Sequence, residues 1–467
     1  MECSEIQKTI QNSLVALYKQ YSLVKIIVDV LPLKCSPYLV GGAVRDIMLK
    51  RPVGDLDIEV FGLTIDELQQ ILARFGNVRL VGKQYGVLRI DHLNVDFSVP
   101  RVDAKGRKPE VFFDPSLSLE QACRRRDLTM NAMAIDLKTG QFHDPFNGMK
   151  ALKDRRLSVP DPVFFVEDPL RFYRVLQFMG RFVLEPDEQL SQLCRTMDLR
   201  GVSHERIVTE YEKLFLHGQK PSLAIRWLLK IGRLAELLPE LAVTKECNQN
   251  PMFHPEGDVF EHTMQAVDGA AKLCYENEEK RLIIVLAALC HDLGKVLTTH
   301  CVKGVLRSYG HAEAGVVLAE QVLDRILVKK MLKRPIVRLV RYHMDPISLV
   351  KNNAGPGAYK RLALKLAPEL TITDLYKLCY CDTSARNPQS QEPLKECPEP
   401  LLDLFLKKAE YYGVAHGPEK PVLSGEDLLP EVSMGPRVGA LLQRAYTIQI
   451  EEGIKDKYKL KKRVINT

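Results

Sequence analysis

Apolar positions change their spacing twice along this chain. Up to about Asp29 they recur with a helical period. An α/β region follows to about Val159, in which short apolar strands are separated by turn signals. From about Asp161 the spacing becomes helical again, as in DPLRFYRVLQFMGRF and SLAIRWLLKIGRLAELLPEL, and almost everything beyond is helical by the same measure. The loop KECNQNPMFHPEGD marks a boundary before a second helical block beginning near Val259, and the Pro-rich ARNPQSQEPLKECPEPLL closes that block. The pattern predicts five pieces: an N-terminal helical extension (1–30), an α/β head (31–159), a helical neck (160–245), a second helical block (246–386) and a helical tail (387–467) ending in the solvated basic run KDKYKLKKR.

Inside the head, LVGGAVRDIMLKRPVGDLDIEVFG sets two glycines and an Arg-Asp pair ahead of carboxylates at every second position. Side chains alternate across a strand, so Asp55, Asp57 and Glu59 project from one face while Leu56, Ile58 and Val60 enter the core. Two acids at that spacing can grip a metal ion. Asp96, in HLNVDFSVPR, offers a third carboxylate from a neighbouring strand, a set suited to nucleotidyl transfer with two divalent ions. Gly41 and Gly42 let the backbone approach a phosphate, and the helix after them presents its N-terminus and Arg45. A nucleoside triphosphate is the expected ligand.

Composition narrows this reading only slightly. With 467 residues, 46% hydrophobic and 27% charged, the chain is long enough for several cores. The surplus of 66 Lys and Arg over 59 Asp and Glu is compatible with an RNA partner but does not demand one. Eleven scattered cysteines without CxxC pairs read as reduced thiols. Neither a leader pattern nor eighteen consecutive apolar residues is found, so a soluble cytoplasmic protein with no membrane partner is expected.

The three ordered segments LVGGAVRDIMLKRPVGDLDIEV, RRDLTMNAMAID and EDPLRFYRVLQF resemble the class II bacterial tRNA nucleotidyltransferase and poly(A) polymerase family, over about residues 36 to 245. The resemblance implies a polymerase-β-like head, a mixed sheet with helices, followed by an all-α body. It also implies addition of CMP, CMP and AMP to the tRNA 3′ end from CTP and ATP without a nucleic-acid template. Asp55 and Asp57 become ligands of Mg2+, Gly42 and Arg45 phosphate contacts, and Arg126 and Asp127 neighbours of the triphosphate and ribose. Asp168, Arg171 and Arg174 are three apart and share one side of a helix. An Arg fork there matches cytosine O2 and N3 or adenine N1, and a carboxylate accepts from the amine both bases carry. Gln177 stands where many relatives have a further basic residue.

The second helical block has its own constellation: His262 in FEHTMQAV, His291 and Asp292 in LAALCHDLGKV, His311 in SYGHAEAG and Asp382 in KLCYCDTSARN. Imidazoles and carboxylates spread over several helices suit a divalent transition metal, its identity open. This block resembles the HD phosphohydrolase domain fused to one branch of the same nucleotidyltransferases. The resemblance implies hydrolysis of a phosphate ester, for instance a cyclic phosphodiester at an RNA end. His343, in VRYHMDP, is either an additional ligand or a group behind the ligands. Two competing readings are a partial enzyme, adding only A or only CC or acting as a poly(A) polymerase, and an RNA-binding HD phosphohydrolase with an inert head. Intact Asp55, Asp57 and Arg45 weigh against inertness.

Overall fold

The computed structural model describes residues 3–81, 86–103, 111–327, 329–397, 399–429, 431–432 and 435–465. The chain forms two compact units, Met1–Arg206 and Ile207–Thr467, so the neck expected over 160–245 contributes to both.

The first unit is organised by a seven-stranded mixed sheet. Its strands are β1 (Ser36–Val40), β2 (Leu56–Phe61), β3 (Val78–Val81), β4 (Val87–Ile90) and β5 (Val95–Ser98), with β8 (Ala134–Asp136) and β9 (Phe142–His143) after the separate β6–β7 hairpin (Arg101–Asp103, Val111–Phe113). The order is β3-β4-β5-β2-β1-β8-β9. β2 and β5 run parallel, with Asp57 opposite Asp96, while β1 lies antiparallel to both β2 and β8. Leu56, Ile58 and Val60 are buried as the alternation requires.

The N-terminal helices Cys3–Gln20 and Ser22–Val30 are not an appendage. Ile10, Leu14, Val24 and Ile27 share one hydrophobic core with Leu39, Ile58 and Phe97 of the sheet. Tyr18 Oη also donates to the Leu137 carbonyl at 2.7 Å. Beyond the sheet, Asp161 caps the Pro162–Glu167 helix, and the Leu170–Phe182 helix ends at Val183 in the left-handed region.

The second unit is built around Glu278–Cys290, a helix whose Leu282–Cys290 stretch is buried on every side. Val259–Lys272, His311–Ile326, Lys333–Tyr342 and Ile372–Ser384 are further helices of this unit. Gly294 permits one of the tightest approaches: a Cβ there would lie 2.0 Å from the His311 carbonyl oxygen and 2.5 Å from the Gly315 nitrogen. The helix pair Pro436–Glu452 and Lys457–Ile465 closes the chain around a small core of Leu423, Leu428, Ala445, Leu460 and Val464. None of the described helices is long and apolar enough to cross a membrane.

Candidate active sites

In the first unit the carboxylates gather on neighbouring strands. Asp57 on β2 faces Asp96 on β5, and Asn94 Nδ2 donates to Asp55 at 3.0 Å. Asp96 is held bidentately by Arg89, Nε at 2.6 Å and Nη2 at 2.9 Å. Glu59, on the same face, is buried and takes Arg126 Nη2 at 3.2 Å. The Asp57 carboxyl is raised above its ordinary value, first by the protein packed around it; Arg126 draws it back, and Asp96, Asp55 and Glu59 push it up. Because the Asp57 side chain still reaches solvent, the neighbouring carboxylates carry the argument. A cluster whose members oppose one another's ionisation favours a divalent cation, so the donor set fits one.

Gly41 stands over this cluster with φ +71°, a conformation that favours glycine. A Cβ on Gly41 would lie 3.2 Å from Arg126 Nη1 and 3.5 Å from Asp57 Oδ2, so the strand-to-helix turn, the acids and Arg126 meet at one place.

Several polar groups expected to face a nucleotide instead bind one another. Arg45 is 5% exposed; it holds Asp46 through Nε and Nη2, gives Nη1 to Asn131 Oδ1 at 2.7 Å, and lies over the rings of Phe178 and Phe182. Asn131 Nδ2 in turn donates to Asp127 at 2.9 Å, and Arg174 Nε donates to the other Asp127 oxygen at 2.6 Å. Burial pushes the Asp127 carboxyl up, but Arg174 and the hydrogen bonds bring it below its ordinary value. Arg171 spends its fork on main chain, Nη1 to the Phe164 carbonyl and Nη2 to the Arg125 carbonyl at 2.8 Å.

Arg45, expected as a phosphate contact, and Arg171, expected at a base edge, thus both have intramolecular partners. Both guanidiniums are partly desolvated and are satisfied internally, as buried charges must be. Asp168 accepts from the Leu170 N–H at 3.0 Å and faces Arg206 at 3.5 Å. Gln177, 3% exposed, points inward.

The second unit brings its predicted ligands together. His262 Nε2 lies 3.1 Å from Asp382 Oδ1 and 3.3 Å from His291 Nε2. Asp292 spans two clusters: Oδ2 is 3.3 Å from His291 Nε2, and Oδ1 is 3.3 Å from His311 Nε2 and 3.9 Å from His343 Nε2. His311 and His343 meet through their Nε2 atoms at 3.1 Å, so His343 belongs inside the cluster.

The ring orientations explain what the cluster can hold. His291, His311 and His343 each place Nδ1 against a main-chain carbonyl, of Ala288, Ser308 and Val340. His262 turns Nδ1 to the Ala385 carbonyl and to Glu256 Oε1 at 2.6 Å. An Nδ1–H donated outward leaves the Nε2 lone pair inward, the tautomer a metal ligand needs. Nε2 pairs at 3.1 and 3.3 Å match the edge between two nitrogens about 2.1 Å from one ion. Without an ion, burial draws His343 down to about 3, with His291 and His311 adding to the effect. Burial also lowers His262, but the bonds to Asp382 and Glu256 outweigh it and raise that ring to about 9.

Four further groups here were not singled out by the sequence reading. Glu256 Oε1 also takes His254 Nδ1 at 2.9 Å, and Lys295 Nζ lies 2.6 Å from Asp292, 2.7 Å from Gln249 and 3.5 Å from His254 Nε2. The loop taken for a boundary is therefore a wall of the site. The one available signal was the pair of polar residues His254 and Glu256 just before the helix carrying His262. Glu256→Gln is expected to weaken zinc binding by about 10- to 100-fold, because a neutral amide oxygen accepts more weakly than the carboxylate and so fixes and polarises the His262 ring less. Isothermal titration of the metal-stripped protein measures this, and unchanged affinity would count against an orienting role.

The comparisons with known proteins coincide with these two sites. Residues 37–158 match the Poly A polymerase head domain, and residues 259–409 match the HD domain. The multifunctional CCA protein of Mannheimia succiniciproducens is 31% identical over 411 residues, 83% of this chain and 94% of its own length. This chain belongs to the multifunctional CCA protein family. The Pasteurella multocida member is 34% identical over 363 residues, 75% of this chain and 84% of that protein. The fold also matches the Thermotoga maritima CCA-adding enzyme solved with tRNA, with a TM-score of 0.58 and 19% identity over 98% of both chains. A CCA-adding enzyme solved with ATP gives a TM-score of 0.58 over 95% of this chain and 93% of that one.

Gly42 opens the Gly42–Met48 helix, with Arg45 Nη2 3.3 Å from where its Cβ would stand. Arg124, read as a surface charge, pairs with Glu120.

Proposed function

We propose that the head adds CMP, CMP and AMP to the tRNA 3′ end from CTP and ATP, with Asp55, Asp57 and Asp96 holding Mg2+. The observation that carries this reading is the register placing Asp57 beside Asp96, with Asp55 just before the same strand. Bound there, Mg2+ supplies charge neutralisation at the reacting phosphates. The chain's own groups orient the triphosphate: Gly41 and Gly42 let the backbone come close, and Arg126 is the cation beside the acids. The buried network Arg45–Asn131–Asp127–Arg174 fixes the turn and the Leu170–Phe182 helix against each other. Free thiols at the ten cysteines from Cys35 to Cys397 fit the reducing cytoplasm as the setting.

Incubation with tRNA lacking its terminal CCA, in CTP, ATP, GTP and UTP singly and together, tests this directly. Two C additions followed by one A support it. A-only, CC-only or extended A addition would support the partial or poly(A) readings, and no addition would support an inert head.

Base choice rests in this proposal on the helix face of Asp168, Arg171 and Arg174, with Arg171 acting by holding that face on the Phe164 and Arg125 carbonyls. Arg171→Ala is expected to slow addition by roughly a hundredfold, as misplacement of about 1 Å can. It should also lower the ratio of CTP to UTP incorporation. An unchanged ratio would remove this face from base selection.

In this proposal His262, His291 and Asp382 on one side and His311 and His343 on the other, with Asp292 between them, would hold divalent metal in the HD centre. Metal bound there would supply activation of water for attack on a phosphate ester. Lys295 stands where a substrate phosphate would add negative charge next to Asp292.

A further inference from the structure

We propose that the cavity between the N-terminal helix Cys3–Gln20 and the turn after the Gly42–Met48 helix is a phosphate-binding site, in which Lys8, Lys50 and Arg51 receive phosphate oxygens from the backbone of bound RNA or from free pyrophosphate.

The spacing of the N-terminal helix prepares one wall. Ile10, Leu14 and Leu17 are buried on its core side. Lys8, Thr9, Asn12 and Ser13 fall on an adjoining face and line a cavity of about 480 Å³ together with Lys50 and Arg51. The lining is rich in cations, hydroxyls and an amide, the side chains that bind phosphate oxygens, and it carries no aromatic ring on which a base could stack. Glu5 is its one carboxylate, 3.6 Å from Lys50 Nζ. Both partners of that pair are exposed, so it holds Lys50 only weakly.

Main-chain bonds fix the opposite wall. The Lys50 N–H donates to the Ile47 carbonyl at 3.0 Å and the Arg51 N–H to the Asp46 carbonyl at 2.8 Å, the paired bonds that close a helix C-terminus. Lys50 takes the left-handed position of this turn, with φ +54°, where glycine sits more easily. The turn thus places a cation at the cavity at a conformational cost.

Arg51 gives the clearest indication of a ligand. Its guanidinium carbon lies 4.7 Å from the Phe182 ring centroid, so the ring covers one face and the N–H edge is left for the cavity. Asp46, whose charge acts on Arg51, is already held by Arg45 through Nε at 3.0 Å and Nη2 at 3.1 Å. Among the described residues no acceptor meets the Arg51 guanidinium, and no partner meets the Lys8 ammonium. Burial draws the Arg51 guanidinium below its ordinary value; Asp46 opposes this and Arg181 adds to it. A half-buried cation with a fork of donors and no acceptor is completed by an oxyanion from solution.

Lys8→Ala tests the site in the full-length protein, because Lys8 is exposed and its loss leaves the core untouched. Two probes are titrated: tRNA lacking its terminal CCA, from about 0.05 to 0.3 M salt, and inorganic pyrophosphate by calorimetry. The variant is expected to weaken binding of at least one probe about tenfold. If that probe is RNA, the slope of log affinity against log salt should also fall by about one, the mark of one lost phosphate contact. Arg51→Met keeps the contact with Phe182 but removes the donors, and should behave as Lys8→Ala does. Lys19→Ala, at an exposed lysine about 16 Å further along the same helix, should match wild type. A loss confined to tRNA identifies backbone phosphate as the source, and a loss confined to pyrophosphate identifies free oligophosphate. Unchanged affinity of Lys8→Ala for both probes, or an equal loss in Lys19→Ala, overturns the site. Only the tRNA arm rests on the nucleotidyl-transfer reading of the head. Wild type that binds no tRNA would refute that reading, and the pyrophosphate titration alone would then decide the site.

Discussion

Asp57→Ala is expected to lower nucleotide addition by about a thousandfold, near 4 kcal/mol of transition-state stabilisation, while tRNA binding changes by less than about twofold. The contrast follows from where the carboxylate acts. Asp57 stands beside Asp96 and within 3.5 Å of a Cβ position over Gly41, so it faces the place where the acids, Arg126 and the phosphate-approach turn converge. Charge developing on the reacting phosphates is felt there, whereas an RNA helix is held through backbone and shape elsewhere. Removing Asp57 also relieves repulsion among Asp55, Glu59 and Asp96, so the fold should not suffer. The check is single-turnover CMP incorporation into tRNA lacking CCA, alongside equilibrium binding of the same tRNA. Turnover within tenfold of wild type would remove Asp57 from the metal set.

How far the sequence could be read depended on the kind of side chain. Strand alternation gave the common face of Asp57 and Glu59, and the buried face of Leu56, Ile58 and Val60, because a period of two leaves no freedom. The same alternation could not say that Glu59 would pair with Arg126. For long polar side chains the direction is chosen by the partner, and the partners are remote in sequence. Arg45 finds Asn131 86 positions later, and Arg171 reaches back 46 positions to the Arg125 carbonyl. Both motifs were visible as motifs, but their internal bonding was not.

The second site divides in the same way. His262, His291, Asp292, His311 and Asp382 could be found because histidines and acids beside apolar helical runs are conspicuous. His343 was visible as a residue but its membership depends on how Lys333–Tyr342 packs against its neighbours. His254, Glu256, Gln249 and Lys295 come mainly from a loop without periodicity, where no repeat announces which groups turn inward. Gly294 shows the physical reason for the motif glycine: any side chain would strike the His311 carbonyl and push the two halves of the cluster apart.

His291→Ala combined with Asp292→Ala is expected to abolish metal-dependent phosphoesterase activity and to leave CCA addition within about twofold of wild type. Asp292 lies within 3.9 Å of all four imidazoles, and His291 Nε2 lies 3.3 Å from both His262 and Asp292, so the double change removes two of the proposed ligands at the centre of the cluster. Losing one partner of a buried charged set is usually costly. Removing the acid leaves Lys295 without its 2.6 Å partner. Circular dichroism and a thermal melt therefore accompany the assays. Nucleotidyl transfer as proposed uses the head acids and Arg126 and has no chemical need of residues 291 and 292. The measurement is hydrolysis of a 2′,3′-cyclic nucleotide across several divalent metals, with CMP and AMP incorporation into truncated tRNA from the same preparation. A well-folded double variant that loses both activities would show the two chemistries to be coupled. Retained phosphoesterase activity would place that chemistry outside the histidine cluster.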